Sequence, residues 1–137
     1  MSGNNAEPLF HNNVLYLEDC DFTPDGRLSL PPPYNGKYCL VMVFASWCGP
    51  CKMTKPEYAK LKNMAGDNVV VCAINGSGKS DSYQSEQDLM KRLKDVIPDF
   101  KGFPHIAIFG KDGRLLGAHE GKRTADDILK TVKKHTS

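Results

Sequence analysis

An apolar run that ends directly before a cysteine pair is the feature that most restricts how this chain can fold. Residues 38–45, YCLVMVFA, are apolar without alternation, which is typical of a central strand covered on both faces. A helix is expected to begin near Cys48, because Pro50 is tolerated in a first helical turn, where its missing N–H would have no partner. The helix should carry an apolar stripe formed by Met53, Leu61 and Met64.

Further strands and helices follow this unit in a regular order. Residues 68–74 form a second buried strand, and residues 85–96 carry apolar positions at helical spacing. Two later strands, 103–109 and 115–119, are joined by a hairpin turn, and a helix over 124–134 follows them. This order predicts an α/β fold with a central mixed β-sheet and helices on both faces. Its first two buried strands should be parallel, because a helix connects them.

The length of 137 residues suits one domain with a substantial core. We expect residues 1–13 to form a flexible N-terminal tail and residues 14–137 to form the single domain. Short strands are expected at 14–17 and 27–30. The three prolines at 31–33 should form a stiff, extended connector, because each ring restricts the backbone and removes a donor.

The charge and the hydrophobic pattern argue against several classes of partner. Lys and Arg number 18 against 16 Asp and Glu, and a net charge of +2 is too small for a typical nucleic-acid-binding domain. A membrane-spanning helix needs about 20 apolar residues, and the sequence has no run of that length. The first residues are polar and contain no secretory signal, so we expect a cytoplasmic location.

Two of the five cysteines, Cys48 and Cys51, stand three positions apart at the expected start of a helix. At this spacing the two thiols can reach each other and close a small ring. Cys48 would lie at the positive end of the helix, where unsatisfied N–H groups stabilise a thiolate and lower its pKa. Cys51, one turn into the helix, should be more buried and act as the resolving thiol.

A structural zinc site is the alternative interpretation of this cysteine pair. Tetrahedral zinc needs four ligands, usually supplied by two such pairs. The remaining cysteines, Cys20, Cys39 and Cys72, are isolated, and no second Cys-x-x-Cys or His pair complements the first. Redox chemistry is therefore the favoured interpretation, and an iron–sulfur cluster that bridges two chains is a further alternative.

Several segments of the chain resemble the thioredoxin family. The strand and helix around the cysteine pair, residues 44–53 (FASWCGPCKM), are similar to the active-site segment of that family. The Gly-Phe-Pro segment at 102–104 resembles its cis-proline loop, and residues 111–114 resemble its hairpin turn. Residues 119–124 are similar to the corresponding segment of protein disulfide isomerases. The resemblance extends from about residue 28 to the C-terminus.

The resemblance implies a thioredoxin-like fold and a thiol–disulfide oxidoreductase. Cys48 would attack a target disulfide and Cys51 would resolve the mixed disulfide, with no cofactor other than this cysteine pair. The implied partners are protein disulfides, together with a reductant of the thioredoxin-reductase or glutathione-linked type. The residues expected to support the site are Trp47, Gly49, Pro50, Phe103 and Pro104, the last of these after a cis peptide bond.

Three features depart from the pattern of the family. Met42 stands where a buried acid is usual, and Val71 aligns with the lysine that often accompanies the acid. Because both charges are absent, no buried ion is left unpaired, but we expect slower resolution by Cys51. His105 is a candidate for tuning the thiols when protonated. The segment 76–96 is longer than in a compact thioredoxin, and its role is open.

The resemblance leaves the direction of the reaction open. The Gly-Pro pair between the cysteines is similar to that of the reducing members of the family, whereas the C-terminal segment is closer to the isomerases. The predicted function is therefore reduction or isomerisation of protein disulfides. The alternative is a redox-sensing or partner-binding module with low turnover, which the absence of the buried acid favours.

Overall fold

The structure is a computed structural model that describes residues 14–79 and 81–136. The tail predicted for residues 1–13 lies outside the described residues. The described part of the chain contains one five-stranded sheet, formed by β1 (Leu15–Tyr16), β2 (Tyr38–Phe44), β3 (Val69–Asn75), β4 (His105–Phe109) and β5 (Leu115–Ala118). It also contains a 3-10 turn at Asp19–Asp21 and five α-helices: α1 (Gly49–Ala59), α2 (Leu61–Met64), α3 (Gln84–Lys91), α4 (Leu93–Val96) and α5 (Ala125–Thr136).

The long strand β2 lies at the centre of the sheet, whose strand order is β1-β3-β2-β4-β5. β1 and β2 both pair with β3 in parallel, while β4 runs antiparallel to β2 and β5 runs antiparallel to β4. The predicted mixed sheet and the predicted parallel pairing of the first two buried strands are therefore confirmed. β2 ends at the loop that leads to Cys48, so the centre of the sheet positions the cysteine pair.

Alternating side chains of β2 divide the hydrophobic core between the two faces of the sheet. We call the face that contains Met42 and Phe44 the first core, and the face that contains Val41 and Val43 the second core. Residues of α1, α2 and α5 close the first core, and residues of α3 and α4 close the second. Because both faces are covered, β2 can be apolar at every position, as its sequence predicted.

The segment expected to form a strand at residues 27–30 makes only one strand-like contact. Leu28 forms an isolated antiparallel bridge with Phe22. The Leu28 N–H also donates to the carbonyl oxygen of Gly113 in the hairpin turn between β4 and β5, at 3.0 Å. The prediction of a second short strand is therefore wrong, because these residues bond to the nearby residues 21–23 and to the turn at Gly113 without forming a continuous strand ladder.

The three prolines at 31–33 do not form the expected extended connector. The Tyr34 N–H donates to the carbonyl oxygen of Pro31 at 2.9 Å and closes a turn. The Pro32–Pro33 peptide bond is cis. The residue after the prolines supplies the N–H that a proline lacks, so the run can reverse direction although its own members cannot donate.

The helix expected over residues 85–96 is divided at Arg92 into α3 and α4. The Arg92 guanidinium donates to the carboxylate of Asp19 at 2.7 Å. It also donates to the carbonyl oxygens of Thr23 at 2.7 Å, of Asp19 at 3.0 Å and of Phe22 at 3.0 Å. A single side chain thus ties the break between the two helices to the segment that precedes β2.

The apolar stripe predicted for the helix after the cysteine pair is only partly present. Leu61 is buried, but 81% of the Met53 surface is exposed. The buried face of α1 consists instead of Cys51, Thr54 and Tyr58. The prediction for Met53 is therefore wrong, because tertiary packing selected another face of α1. Within the two described ranges, no helix combines the length and the apolar character needed to cross a bilayer.

Candidate active site

Cys48 and Cys51 form a disulfide at the N-terminus of α1, with their Cα atoms 5.2 Å apart. Cys48 is the N-cap residue, and Gly49 and Pro50 are the first two residues of the helix. The Cys51 N–H donates to the sulfur of Cys48 at 3.1 Å. The Cys48 side chain therefore satisfies one of the free N–H groups at this helix start, where the partial positive charge of the helix is concentrated.

The cysteine pair is embedded in the first core. Cys48 keeps 5% of its surface exposed, and Cys51 keeps none. Met42 and Val71 are buried in the same core, on β2 and β3. The two positions where the resemblance implied a missing acid and a missing lysine are thus part of an apolar environment on the same side of the sheet as Cys51.

Tyr58 is a buried polar residue of the first core that the sequence did not single out. Its hydroxyl lies 3.0 Å from the carbonyl oxygen of Leu40 and 2.6 Å from that of Cys72, so it links β2 and β3. Burial raises the pKa of Tyr58 well above its ordinary value. The phenol therefore stays protonated and remains a donor to these carbonyls throughout the neutral range.

Two aromatic side chains, Trp47 and Phe103, meet beside the loop that leads to Cys48. The ring of Trp47 meets that of Phe103 edge-on, with centroids 5.3 Å apart and planes at 88°. Trp47 is 62% exposed, and Met53 lies on the outer face of α1. The Phe103–Pro104 peptide bond is cis. The structure thus brings the predicted support residues Trp47 and Phe103 into direct contact.

A second set of contacts joins this site to the described residues 76–79 and 81–82, which together we call the 76–82 segment. The indole N–H of Trp47 donates to the carbonyl oxygen of Ser77 at 3.0 Å. The N–H of Ser46 donates to the Ser77 hydroxyl oxygen at 2.7 Å, and the Ser46 hydroxyl donates to the carboxylate of Asp81 at 2.8 Å. Sequence reasoning recognised a polar loop here but missed these contacts, whose only signal was the Asn-Gly-Ser sequence after β3.

The buried side-chain amide of Asn75 forms hydrogen bonds with the 76–82 segment. Its carbonyl oxygen accepts the N–H of Ser77 at 3.0 Å and also accepts the hydroxyl of Ser77. Its NH₂ group donates to the carbonyl oxygen of Asp81 at 2.9 Å and lies 3.4 Å from the carboxylate of Glu86. The amide therefore binds Ser77 and Asp81 of this segment and also reaches Glu86 of α3, so it ties the segment to the helix that follows.

Glu86 is a carboxyl group in an almost fully buried position. It accepts the N–H of Tyr83 at 2.8 Å and thereby caps the start of α3. Burial raises the pKa of Glu86, the nearby charge of Glu18 raises it further, and the hydrogen bonds from Tyr83 and Asn75 oppose the shift. The carboxyl group therefore holds its proton to a higher pH than an exposed glutamate does.

His105 lies on the other face of the sheet from the cysteine pair. Side chains alternate along β4, so that Ile106 lies in the first core and Ala107 in the second. His105, directly before Ile106, is therefore on the same side as the second core. Its ring meets that of Phe100 at 5.7 Å, and burial lowers its pKa. This position gives no support to the predicted tuning of the thiols by His105.

The three remaining cysteines are free thiols. Cys20 is exposed, and its pKa is raised by desolvation and by the charges of Asp21 and Glu18. Cys39 and Cys72 are buried in the second core, and their thiols donate to the carbonyl oxygens of Lys37 at 3.8 Å and of Val70 at 3.7 Å. In the described ranges, no group of three His, Cys, Asp or Glu side chains is arranged to hold a metal ion.

Comparison with known proteins gives consistent results. The sequence profile of the thioredoxin family matches residues 34–134. A putative thioredoxin-like protein of Invertebrate iridescent virus 6, 453L, is 30% identical over 132 residues, which cover 88% of this chain and 86% of the viral protein. Protein disulfide-isomerase A3 of Gallus gallus is 32% identical over 127 residues, which cover 90% of this chain. Protein disulfide-isomerase of Ricinus communis is 28% identical over 128 residues, which cover 91% of this chain.

The chain spans only 21% of the length of the Gallus isomerase and 22% of the Ricinus isomerase. Among solved structures, the long form of thioredoxin f from spinach chloroplast matches with a TM-score of 0.61 and 22% identity, over 91% of this chain and 88% of that chain. The J-Trx1 fragment of ERdj5 matches with a TM-score of 0.62 and 16% identity, over 90% of this chain and 50% of that chain. At such identities the likeness shows the fold alone.

The mixed sheet and the disulfide at a helix start define a thioredoxin-fold domain. The profile match covers most of the chain, and the viral relative is matched over most of its own length. The chain belongs to the thioredoxin family.

Proposed function

We propose that this chain reduces or isomerises protein disulfides through the dithiol–disulfide couple of Cys48 and Cys51. The observation that carries the proposal is the position of the Cys48 sulfur at the N-cap of α1, bonded to Cys51 and accepting its N–H at 3.1 Å. This position stabilises the thiolate that attacks the target disulfide. It also makes the same sulfur a better leaving group when Cys51 attacks it.

The proposed exchange moves two electrons in two displacement steps. In the reduced protein, the Cys48 thiolate attacks one sulfur of the target disulfide, forms a mixed disulfide and expels the other target sulfur as a thiolate. Cys51 gives its proton to solvent or to the expelled thiolate, attacks the Cys48 sulfur and releases the second target sulfur. The target leaves as a dithiol, and the protein is left with the Cys48–Cys51 disulfide.

Five neighbouring residues are proposed to support this exchange. Gly49 and Pro50 hold the start of α1 in the geometry that directs N–H groups at Cys48. Trp47 and Phe103 supply apolar surface for the target chain, and Pro104 begins the backbone segment against which that chain would lie. A protein disulfide in an extended segment is the substrate class that fits such a surface.

The Gly-Pro pair between the cysteines favours reduction over isomerisation as the main direction. A reductant of the thioredoxin-reductase or glutathione-linked type would then return the couple to its dithiol form. One solved neighbour, at 20% identity, is thioredoxin f2 in complex with ferredoxin:thioredoxin reductase, which is consistent with a reductase partner. The couple itself is the redox centre of the proposal, since members of the thioredoxin family use such a disulfide without an external cofactor.

A cytoplasmic location is also proposed. Its support is the presence of three free thiols, Cys20, Cys39 and Cys72, in addition to the cysteine pair. Free thiols persist where the surroundings are reducing. Microscopy of a fluorescent fusion of the full-length protein in its own cells would test this location, and a signal confined to the secretory pathway would contradict it.

Insulin reduction in the presence of dithiothreitol tests the proposed activity. We expect turbidity from the insulin B chain to develop faster with the protein than with dithiothreitol alone. Cys48→Ser should abolish this acceleration. Cys20→Ser, which removes an exposed thiol outside the cysteine pair, should leave it unchanged. Equal rates for wild type and Cys48→Ser would contradict the proposal.

The low-turnover module remains the second candidate, and the apolar side chain at Met42 is the observation that favours it. Without an acid near Cys51, a mixed disulfide should last longer, as a partner-holding protein requires. Wild-type protein would then form mixed disulfides with partner proteins but show no insulin turnover above background. The reduction potential of the couple, followed through Trp47 fluorescence, would separate a reductase from an isomerase, because a reductase has the more negative value.

A further inference from the structure

The 76–82 segment contacts both walls of the surface beside the cysteine pair. Ser77 and Asp81 bind Ser46 and Trp47, which precede Cys48. Gly76 packs against Phe103, the residue before Pro104, so closely that a β-carbon on Gly76 would lie 2.7 Å from its ring. One short segment therefore joins the loop that carries Cys48 to the loop that carries Pro104.

We propose that Asp81 and Ser77 are positioning residues for substrate docking, which hold Trp47 and the loop before Cys48 in the geometry that a target disulfide meets. The inference rests on the proposed thiol–disulfide exchange. It assigns a role to part of the segment 76–96, which the sequence left without one.

The first step of the argument concerns Ser46. Two of the three polar groups of this residue are bound by the 76–82 segment: its N–H by the Ser77 hydroxyl and its own hydroxyl by the Asp81 carboxylate. Residues 45–48 form a turn, which is closed by the Cys48 N–H donating to the carbonyl oxygen of Ala45 at 3.1 Å. Because Ser46 lies inside this turn, fixing Ser46 also fixes the direction in which the chain approaches Cys48.

The second step concerns Trp47, a large side chain whose surface is 62% exposed. An exposed side chain of this size would ordinarily sample several rotamers and would lose that freedom when a partner docks. Here the indole N–H is bound to the Ser77 carbonyl, and the ring edge meets Phe103. The indole is therefore already ordered before the substrate arrives, which reduces the entropy that docking must overcome.

The third step concerns the stiffness of the segment itself. Besides its bonds to Asn75, the segment contains a hydrogen bond from the Ser82 hydroxyl to the Gly78 carbonyl at 2.6 Å, and one from the Asp81 N–H to the same carbonyl at 3.1 Å. Ser82 and Asn75 are both buried. A segment with this internal bonding can transmit its position to Ser46 and Trp47, which a loosely held loop could not.

The test compares Asp81→Ala with Asp81→Asn and with Asp88→Ala. Asp81→Ala removes the acceptor of the Ser46 hydroxyl, whereas Asp81→Asn keeps an acceptor oxygen and loses only the charge. Asp88→Ala removes an equal charge from the outer face of α3, where Asp88 pairs with Lys91. Insulin reduction gives KM and kcat separately. Because Trp47 is the single tryptophan, acrylamide quenching of its fluorescence reports its mobility directly.

We expect Asp81→Ala to raise KM about tenfold, the factor that corresponds to the loss of one hydrogen bond, with less than about a twofold change in kcat. The quenching constant of Trp47 should rise in the same variant. Asp81→Asn should restore both values toward those of wild type, and Asp88→Ala should leave both unchanged. Ser46→Ala removes the other partner of the same bond and should reproduce the effect if Asp81→Ala fails to fold.

Wild-type KM and wild-type quenching in a folded Asp81→Ala or Ser46→Ala variant would overturn the inference. An equal rise in KM in Asp88→Ala would also overturn it, because the effect would then be one of general charge. The quenching measurement needs no substrate. If wild-type protein fails to reduce insulin, the proposed function fails, while increased Trp47 quenching in Asp81→Ala would still show that the segment positions the indole.

Discussion

The N–H of Cys51 points at the sulfur of Cys48 across 3.1 Å, from inside the first turn of α1. One residue thus supplies both the second sulfur of the disulfide and a hydrogen-bond donor to the first sulfur. A donor fixed in a helix needs no rearrangement when negative charge appears on that sulfur. The relationship therefore links the local structure of a helix start to the reactivity expected of Cys48.

The first prediction compares the alkylation rates of Cys48 and of Cys20, the exposed free thiol. In the reduced protein at pH 7, iodoacetamide should modify Cys48 at least about threefold faster than Cys20, because the helix N-terminus favours the Cys48 thiolate. At Cys20, desolvation and the charges of Asp21 and Glu18 raise the pKa and disfavour the thiolate. Mass spectrometry of peptides after timed alkylation measures both rates. Equal rates would show that the helix start does not activate Cys48.

The second prediction concerns the apolar side chain under the cysteine pair. Met42→Asp should shorten the lifetime of a mixed disulfide at Cys48, because a carboxylate can accept the proton of Cys51. It should also lower the free energy of unfolding by several kcal/mol, on the order expected for a buried unpaired charge. Stopped-flow decay of a mixed disulfide with thionitrobenzoate measures the lifetime. Met42→Leu is the matched control, and a lifetime in Met42→Asp equal to that of the control would contradict the role assigned to this position.

The third prediction is a pH dependence that arises at Glu86. Because burial raises the pKa of this carboxyl group, the folded protein binds its proton more tightly than the unfolded chain does. The stabilising contribution of the proton is complete below the ordinary glutamate pKa of about 4.3, and it is lost as the pH rises through the raised pKa of the folded state.

Glu86→Gln keeps an oxygen for the Tyr83 N–H and removes the titration. We expect this variant to gain on the order of 1 kcal/mol over wild type at pH 7, and the gain should shrink toward zero near pH 4. Urea unfolding at both pH values measures the difference. A difference that is the same at both pH values would mean that Glu86 does not carry the effect.

The fourth prediction concerns the guanidinium that divides α3 from α4. Arg92→Lys keeps the charge but loses the planar set of donors that reaches Asp19, Thr23 and Phe22. We expect the free energy of unfolding to fall by about 2 kcal/mol, since three partly buried carbonyl oxygens lose their donor. Arg27→Lys, at an exposed ion pair with Asp25, should change it by less than about 0.5 kcal/mol. Equal urea midpoints for the two variants would contradict this account of the helix break.

Much of the fold could be predicted because its signals are local. The apolar run that became β2 has no polar position, so its burial on both faces follows from composition alone. The helix after Cys48 begins where a proline tolerates the missing N–H, and the last helix begins directly after Thr124, whose hydroxyl oxygen accepts the N–H of Asp127. Such signals act within a few residues, and a sequence displays them directly.

The errors occurred where a distant residue decides the local conformation. Leu28 bonds to the turn at Gly113 in addition to its bridge with Phe22, and the expected single helix is divided at Arg92, which binds Asp19, 73 positions away. Met53 is exposed because α1 packs with another of its faces. In each case the local preference was weak, and a tertiary contact outweighed it.

The candidate site shows the same division between local and distant causes. The sequence by itself determined the two sulfurs, their spacing and their position at a helix start, since these follow from four consecutive residues and the dihedral preferences around them. Only the tertiary structure decided that His105 lies on the opposite face and that Asp81 reaches Ser46 across 35 positions of the chain. Hydrogen bonds between distant residues form only when packing of the whole sheet has brought their partners together, so no local pattern in the sequence can predict them.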